Sequence, residues 1–207
     1  MNNKVIALII VVILLIIVGG VFVAINLNNN TKENTLNTAN QNNSQVAKQE
    51  ENTNNNENII TNTQEKGKVL VLYFSQSGNT EKVANFIHEE VGGDIIKLET
   101  TKTYPSDYNE LVNYAQEEQR NNARPELKTK IDNIEQYDTI FLGYPNWWAD
   151  MPMPLYTFLD EYDLSGKTIA PFITHGGSGL SGTSNKIKKD EPNATVTEGL
   201  AVIYYER

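Results

Sequence analysis

Apolar residues follow two different patterns along the chain. Residues 5–25 are 21 consecutive uncharged positions, mostly aliphatic and interrupted by Gly19 and Gly20. That matches the ~20 residues a helix needs to cross a hydrocarbon core. Beyond residue 67 the apolar runs are short and alternate with amphipathic stretches. Residues 69–74 (V-L-V-L-Y-F) have the length and β-branched content of a strand covered on both faces. A helix carrying Val83, Ala84, Phe86 and Ile87 follows, with Asn79 or Thr80 as its cap. Residues 94–98 predict a second strand and residues 139–142 a third, ending in Gly143 and Pro145. Between them, residues 106–120 predict a helix with Tyr108, Leu111, Val112 and Ala115 on one face, and Ile131, Ile134 and Tyr137 suggest a short further helix. A helix over 154–162, a fourth strand over 168–174, a polar helix over 182–189 and a fifth strand over 195–204 complete the series. This β/α alternation implies a doubly wound parallel sheet of five strands in the order 2-1-3-4-5.

The chain divides into an apolar segment (residues 1–27), a linker (28–66) and an α/β domain (67–207). Residues 26–64 hold 15 Asn, six Thr and four Gln among 39 positions, with no aromatic residue, Gly or Pro. Such a composition buries too little apolar surface to offset the entropy of ordering. As a coil it spans roughly 35 Å root-mean-square. The apolar segment reads as a single-pass membrane anchor. A cleaved signal sequence is the alternative, but the stretch exceeds the usual ~7–15-residue apolar region and lacks a small-x-small exit. Lys4 and the terminal amine precede it, whereas Lys32 is balanced by Glu33 after it, a charge pattern that predicts the N-terminus inside and the domain extracytoplasmic.

Charge narrows the partners. Of the net −9, residues 68–207 contribute 13 basic and 21 acidic side chains, against four and five in residues 1–67. An acidic domain argues against nucleic acid and suits a basic protein partner, although the charge also serves solubility. The absence of cysteine excludes disulfides, thiol catalysis and thiolate-held clusters, and the two distant histidines supply no metal cluster.

The first strand runs into Ser75-Gln76-Ser77-Gly78-Asn79-Thr80, a turn with three hydroxyls and one glycine opening a helix. Hydroxyls, close backbone approach and unpaired helical N–H groups together make a phosphate cradle. No lysine or arginine lies in the turn, unlike a triphosphate-binding P-loop. The sheet topology brings the loops after strands three and four to the same edge. The first of these, around Pro145-Asn146-Trp147-Trp148, holds both tryptophans of the chain, and adjacent indoles on a turn call for a flat partner. The second, Thr174-His175-Gly176-Gly177-Ser178-Gly179, offers amides and a hydroxyl. Gly177, Gly179 and Gly182 also spell G-x-G-x-x-G, but a dinucleotide fingerprint follows the first strand, which here has its own phosphate loop.

S-Q-S-G-N-T resembles the [ST]-x-[ST]-G-x-T phosphate loop of flavodoxins. With Tyr104-Pro105, Arg124-Pro125, G-Y-P-N-W-W, Gly166-Lys167 and T-H-G-G-S-G, the resemblance covers residues 68–202 and is strongest to a reductase-like group of that family. It implies noncovalent FMN, with Ser75 to Thr80 at the phosphate, Pro145 to Trp148 against the ring and Thr174 to Gly179 at its far edge. Similar proteins continue into a closing helix, which is expected to be missing here because Arg207 follows the fifth strand directly.

Three functions compete. The first is an electron-transfer flavoprotein tethered to the membrane and served by a redox protein partner. The second is a reductase passing electrons from NAD(P)H to a small acceptor such as a quinone, nitro or azo compound, with Tyr104, Tyr108 and Tyr144 as an aromatic substrate wall. The third is a flavin-free adaptor. His175 is a candidate catalytic or ring-bonding group, His88 has no assigned role, and Asp150 is either near the ring or a solvated loop carboxylate.

Overall fold

The computed structural model describes residues 67–204. The anchor, the linker and the end of the chain, on which the closing helix depends, lie outside the described residues. Six strands and four α-helices alternate: β1 (Lys68–Tyr73), α1 (Asn79–Val91), β2 (Asp94–Lys97), α2 (Tyr108–Arg120), β3 (Tyr137–Pro145), α3 (Met153–Glu161), β4 (Thr168–His175), α4 (Thr183–Asp190), β5 (Thr195–Val196) and β6 (Leu200–Ile203). All sheet pairings are parallel, in the order β2-β1-β3-β4-β5, with β6 also paired to β4. The 2-1-3-4-5 order expected from the sequence is therefore present. Among the described residues no helix is long and apolar enough to cross a membrane.

Strands β1, β3 and β4 are buried along most of their length, as parallel strands covered on both faces must be. Alternate residues Leu70, Leu72 and Phe74 of the β1 segment join Ile140, Leu142 and Tyr144 of β3 in one core cluster with Leu155 and Phe158 of α3. On the opposite face Gly143 sits against Phe172, its register partner on β4. A Cβ at Gly143 would fall 2.0 Å from that ring. Strand β3 is longer than the sequence suggests because Tyr137 and Asp138 already pair beside Lys68. The short helix expected around residues 131–137 is a single 3₁₀ turn, Ile134–Gln136.

The fifth strand breaks in two. Thr195 and Val196 pair with Thr168 and Ile169, but Leu200 pairs with Phe172, so this side holds one residue more than β4. Thr195, Thr197 and Tyr204 donate backbone N–H groups to Lys167, Ile169 and His175, so the odd-numbered positions of β4 face this strand. Pro171 is one of them and has no N–H to give, which is where the ladder lapses. Gly199, at φ +81° with Ser184 Oγ 2.8 Å from a hypothetical Cβ, takes up the excess.

Candidate functional site

The loops after β1, β3 and β4 meet at the carboxyl edge of the sheet. Gly78, with φ +82°, stands at the N-cap of α1 and no side chain caps the helix. Asn79 and Thr80, expected as caps, instead lie in its first turn. The N-terminal amides of α1 therefore lack side-chain acceptors, the arrangement that receives an anion. Ser77 is exposed and a Cβ at Gly78 would meet nothing within 4 Å, so the cradle is open. Gln76 reaches sideways, donating from Nε2 to Pro105 O (3.2 Å). Thr80 is buried, and its hydroxyl lies 2.8 Å from that of Thr174, tying the first loop to the end of β4.

After β3 the chain makes a two-residue hairpin. Trp147 and Asp150 exchange both backbone hydrogen bonds at 2.9 Å, and the central residues Trp148 and Ala149 both have positive φ, +52° and +59°. A primed turn demands that backbone and normally selects Asn-Gly. For a bulky residue it is strained. The turn is held from several sides. Trp148 Nε1 donates to Val112 O (3.0 Å) and Gln119 Nε2 to Trp148 O (3.3 Å), both on α2. Asp150 accepts from Met151 N and Tyr156 OH, each at 2.8 Å, and pairs with Lys186 at 2.6 Å. Asp150 is therefore a buried brace of the turn and not a solvated loop carboxylate. Burial, reinforced by this carboxylate, pushes the Tyr156 phenol well above its ordinary range.

The two indoles have separate fates. Trp147 packs edge-on to Phe74 and Tyr104, with ring centroids 5.4 and 5.5 Å away, whereas Trp148 remains 46% exposed. A cleft of about 300 Å³ is lined by Trp148, by Tyr108, Leu111, Val112 and Ala115 of α2, and by Asn146 and Trp147. The sequence placed those four α2 residues on one apolar face; that face is shared between the core and the cleft.

The aromatic substrate wall expected of Tyr104, Tyr108 and Tyr144 does not form. Tyr144 is fully buried and donates to Thr183 Oγ1 (3.0 Å), and Tyr104 is buried with its hydroxyl 2.6 Å from Glu118. Both phenols are raised far above their usual range by burial, with Glu118 adding to the rise at Tyr104. The Glu118 carboxyl is itself raised by burial, against the lowering effect of its tyrosine bonds. Of the three, Tyr108 alone faces solvent, at 70% exposure. The two-residue alternation that aligns Tyr144 with Ile140 and Leu142 was the available signal for its burial.

His175, at the end of β4, turns back on its own loop. Its Nδ1 accepts from Gly177 N (3.0 Å) and Gly179 N (3.1 Å). Those two bonds fix Nδ1 as the unprotonated ring nitrogen. A Cβ at Gly176, Gly177 or Gly179 would meet nothing within 4 Å, and the last two have φ of +146° and +65°. Asn146 joins the two loops, donating through Nδ2 to Gly179 O (2.9 Å) and Ser181 Oγ (2.7 Å). Ser181, which sequence reasoning missed, also donates to Ser178 O (3.3 Å). Nothing in its sequence context marks it. Pro145 ends β3 paired with Thr174, whose carbonyl accepts from Asn146 N (2.8 Å).

Two buried side-chain polar atoms among the described residues lack a hydrogen-bond partner: Ser75 Oγ and Asn146 Oδ1. Such orphans cost about 1–3 kcal/mol each. They sit in two of the three converging loops.

The family model described as Flavodoxin matches residues 68–204, which takes in all of the sheet and the three loops. The chain belongs to the flavodoxin family. A flavodoxin of Synechocystis sp. is 26% identical over 113 residues, 51% of this chain and 50% of its own length. The chain spans about half the length of the curated relatives it matches. Among solved structures, a presumed flavoprotein of Bacteroides eggerthii is 36% identical with a TM-score of 0.61, over 65% of this chain and 87% of that one. A flavoprotein of Lactobacillus acidophilus, solved in complex with FMN, is 25% identical with a TM-score of 0.58, over 65% of this chain and 92% of that one. Among the described residues no group of acidic or histidine side chains is arranged to hold a metal ion.

Proposed function

We infer that this flavodoxin-family domain binds FMN and works in electron transfer. The observation that carries the reading is the pair of orphaned buried atoms, Ser75 Oγ in the phosphate loop and Asn146 Oδ1 in the Trp loop. The residues fit the group. Ser75, Gln76, Ser77, Gly78, Asn79 and Thr80 would hold the phosphate with hydroxyls and helical amides. Pro145, Asn146, Trp147 and Trp148 would border the ring, and Thr174, His175, Gly176, Gly177, Ser178 and Gly179 would line its polar edge. FMN supplies one- and two-electron chemistry when bound. The protein's part is to fix the ring's polar partners and exclude water: His175 holds the glycine-loop amides, and Asn146 holds that loop against the Trp turn. His175 is thus a positioning residue in this reading, acting through its Nδ1 on the loop amides.

The test is a comparison of FMN with riboflavin, which lacks the phosphate, by absorbance and flavin-fluorescence titration of the full chain. A phosphate-anchored site binds FMN at least tenfold more tightly. Equal affinities would contradict the assignment of the first loop.

A reductase is the second reading, favoured by the aromatic cleft beside the Trp turn. Steady oxidation of NADPH with menadione by the FMN-loaded chain alone would select it, whereas a carrier turns over only with a separate reductase. The uncharged stretch of residues 5–25 supports tethering to a membrane through the Asn-rich linker, with the domain outside. Retention in the membrane fraction after alkaline carbonate extraction is the expected result, and release into the supernatant would contradict it.

A further inference from the structure

The loop after β2, residues 98–107, also leaves the sheet at its carboxyl edge and carries the Tyr104-Pro105 motif. Its Tyr104 ring lies edge-on to Phe74 and to Trp147, each at 5.5 Å, and Phe74 lies edge-on to Trp147 at 5.4 Å. Three rings from three different loops thus close a triangle, every pair in an arrangement that aromatic rings favour. Two corners adjoin the orphaned atoms: Ser75 follows Phe74, and Asn146 precedes Trp147. The third corner, Tyr104, is buried and donates its hydroxyl to Glu118 of α2 at 2.6 Å. Gln76 of the phosphate loop donates to Pro105 O (3.2 Å), a second tie to the same loop. Gln119, next to Glu118 on α2, donates to Trp148 O (3.3 Å). Consecutive residues of one helix therefore reach both tryptophans of the turn, Gln119 directly and Glu118 through Tyr104.

We propose that Glu118, acting through Tyr104, is a positioning residue that sets the spacing between the phosphate loop and the Trp turn for a ligand that engages both. The proposal rests on the FMN reading and adds to it a pair of residues that need not touch the ligand. A ligand with two points of attachment keeps the benefit of both only while their separation fits it. Here that separation passes through the ring of Tyr104, and a ring holds its neighbours in place only when it is itself held. The hydrogen bond to Glu118 does this from a helix that also anchors Trp148. What Tyr104 requires at position 118 is an acceptor and not a charge, so a glutamine serves and an alanine does not. Loss of the acceptor strands a buried hydroxyl at the corner that joins the two loops.

The experiment titrates the full chain and its Glu118→Ala and Glu118→Gln variants with FMN and with riboflavin, and records tryptophan emission of each without flavin. Glu118→Ala should weaken FMN about tenfold and riboflavin less than about twofold, because riboflavin has no phosphate to reach the first loop. Emission should shift in the same variant, since Trp147 loses a fixed wall. Glu118→Gln should keep the affinities and the emission of the parent. Tyr104→Phe keeps the ring and removes only the hydroxyl, so it tests the same bond should Glu118→Ala fail to fold, and the same selective loss of FMN is expected; circular dichroism checks the fold of every variant. Equal losses of FMN and riboflavin would mark general loosening and overturn the proposal, as would an unrescued Glu118→Gln. A parent that prefers FMN and variants that keep that preference would refute the proposal alone. A parent that binds FMN no more tightly than riboflavin would refute the phosphate-loop assignment, and the proposal with it.

Discussion

After β3 the chain turns through Trp148 and Ala149 at φ +52° and +59°; after β4 it turns through Gly177, Gly179 and Gly182. Both loops need left-handed backbone, but the first imposes it on Trp148 and Ala149 alone, whereas the second gives it to three glycines that adopt it freely and to one other residue, Ser181 at φ +50°. The first loop is closed by a two-bond hairpin and by anchors on α2, the Asp150 cluster and Phe74. The second has few side chains of its own and is held by the His175 imidazole and by Asn146 and Ser181. One loop is a rigid mount for an aromatic surface. The other is a glycine loop, two of whose amides His175 holds, with room in front of it.

The largest effect is expected where the two loops share a floor. Gly143→Ala would drive a Cβ into the Phe172 ring between β3 and β4, costing about 3 kcal/mol or more and lowering FMN affinity at both loops. Urea unfolding measures the first effect and flavin titration the second. A loss under ~1 kcal/mol would mean the strands yield more easily than their packing implies.

His175→Ala should separate the loops. Two amides lose their acceptor, a cost of about 1–2 kcal/mol, and FMN binding weakens while tryptophan emission of the free protein stays as it was. A shift in emission would show that the Trp turn leans on the glycine loop, contrary to the comparison. Paired substitutions sharpen it further. Ala149→Gly relieves left-handed strain and should stabilise by about 0.5–1 kcal/mol, whereas Gly179→Ala introduces it and should destabilise by about 1 kcal/mol. Equal signs in thermal or urea unfolding would break the distinction.

The smallest effect depends on pH. Burial raises the Glu118 carboxyl, so the folded state keeps its proton at pH values where the unfolded chain has lost it. Stability contributed by this group is present below the ordinary carboxylate value and is lost as pH rises through the raised one. Glu118→Gln, which stays neutral and still accepts from Tyr104, should therefore gain on the parent as pH rises from 4 to 7. A gain that grows toward acid would reverse the sign of the argument.

The sheet was legible in the sequence wherever a strand is covered on both faces, because V-L-V-L-Y-F announces itself without reference to its neighbours. The break in the fifth strand was not, because it arises from Pro171 on the adjoining strand, and a lapse in pairing is written in two segments at once. The three loops were identified by their hydroxyls, indoles and glycines. Their internal geometry was hidden for a physical reason: no glycine marks the turn at Trp148 and Ala149, whose backbone is held by contacts 30 or so residues away in sequence, at Val112 and Gln119. Tyrosines were misjudged for a related reason. A phenol reads as an exposed polar group until its partner is known, and Glu118 and Thr183 supply those partners from other elements.

The central claim is that Ser75 Oγ and Asn146 Oδ1 lack partners in the free protein because FMN supplies them. Titration of the full chain and its Ser75→Ala variant with FMN, alongside unfolding of both without FMN, tests it most directly. Removing an unpartnered buried hydroxyl should leave the free protein as stable or more stable, by up to ~1 kcal/mol, while losing a bond to phosphate weakens FMN binding about tenfold or more. A parent chain that binds no FMN, or a variant that binds it as tightly while unfolding more easily, would contradict the account.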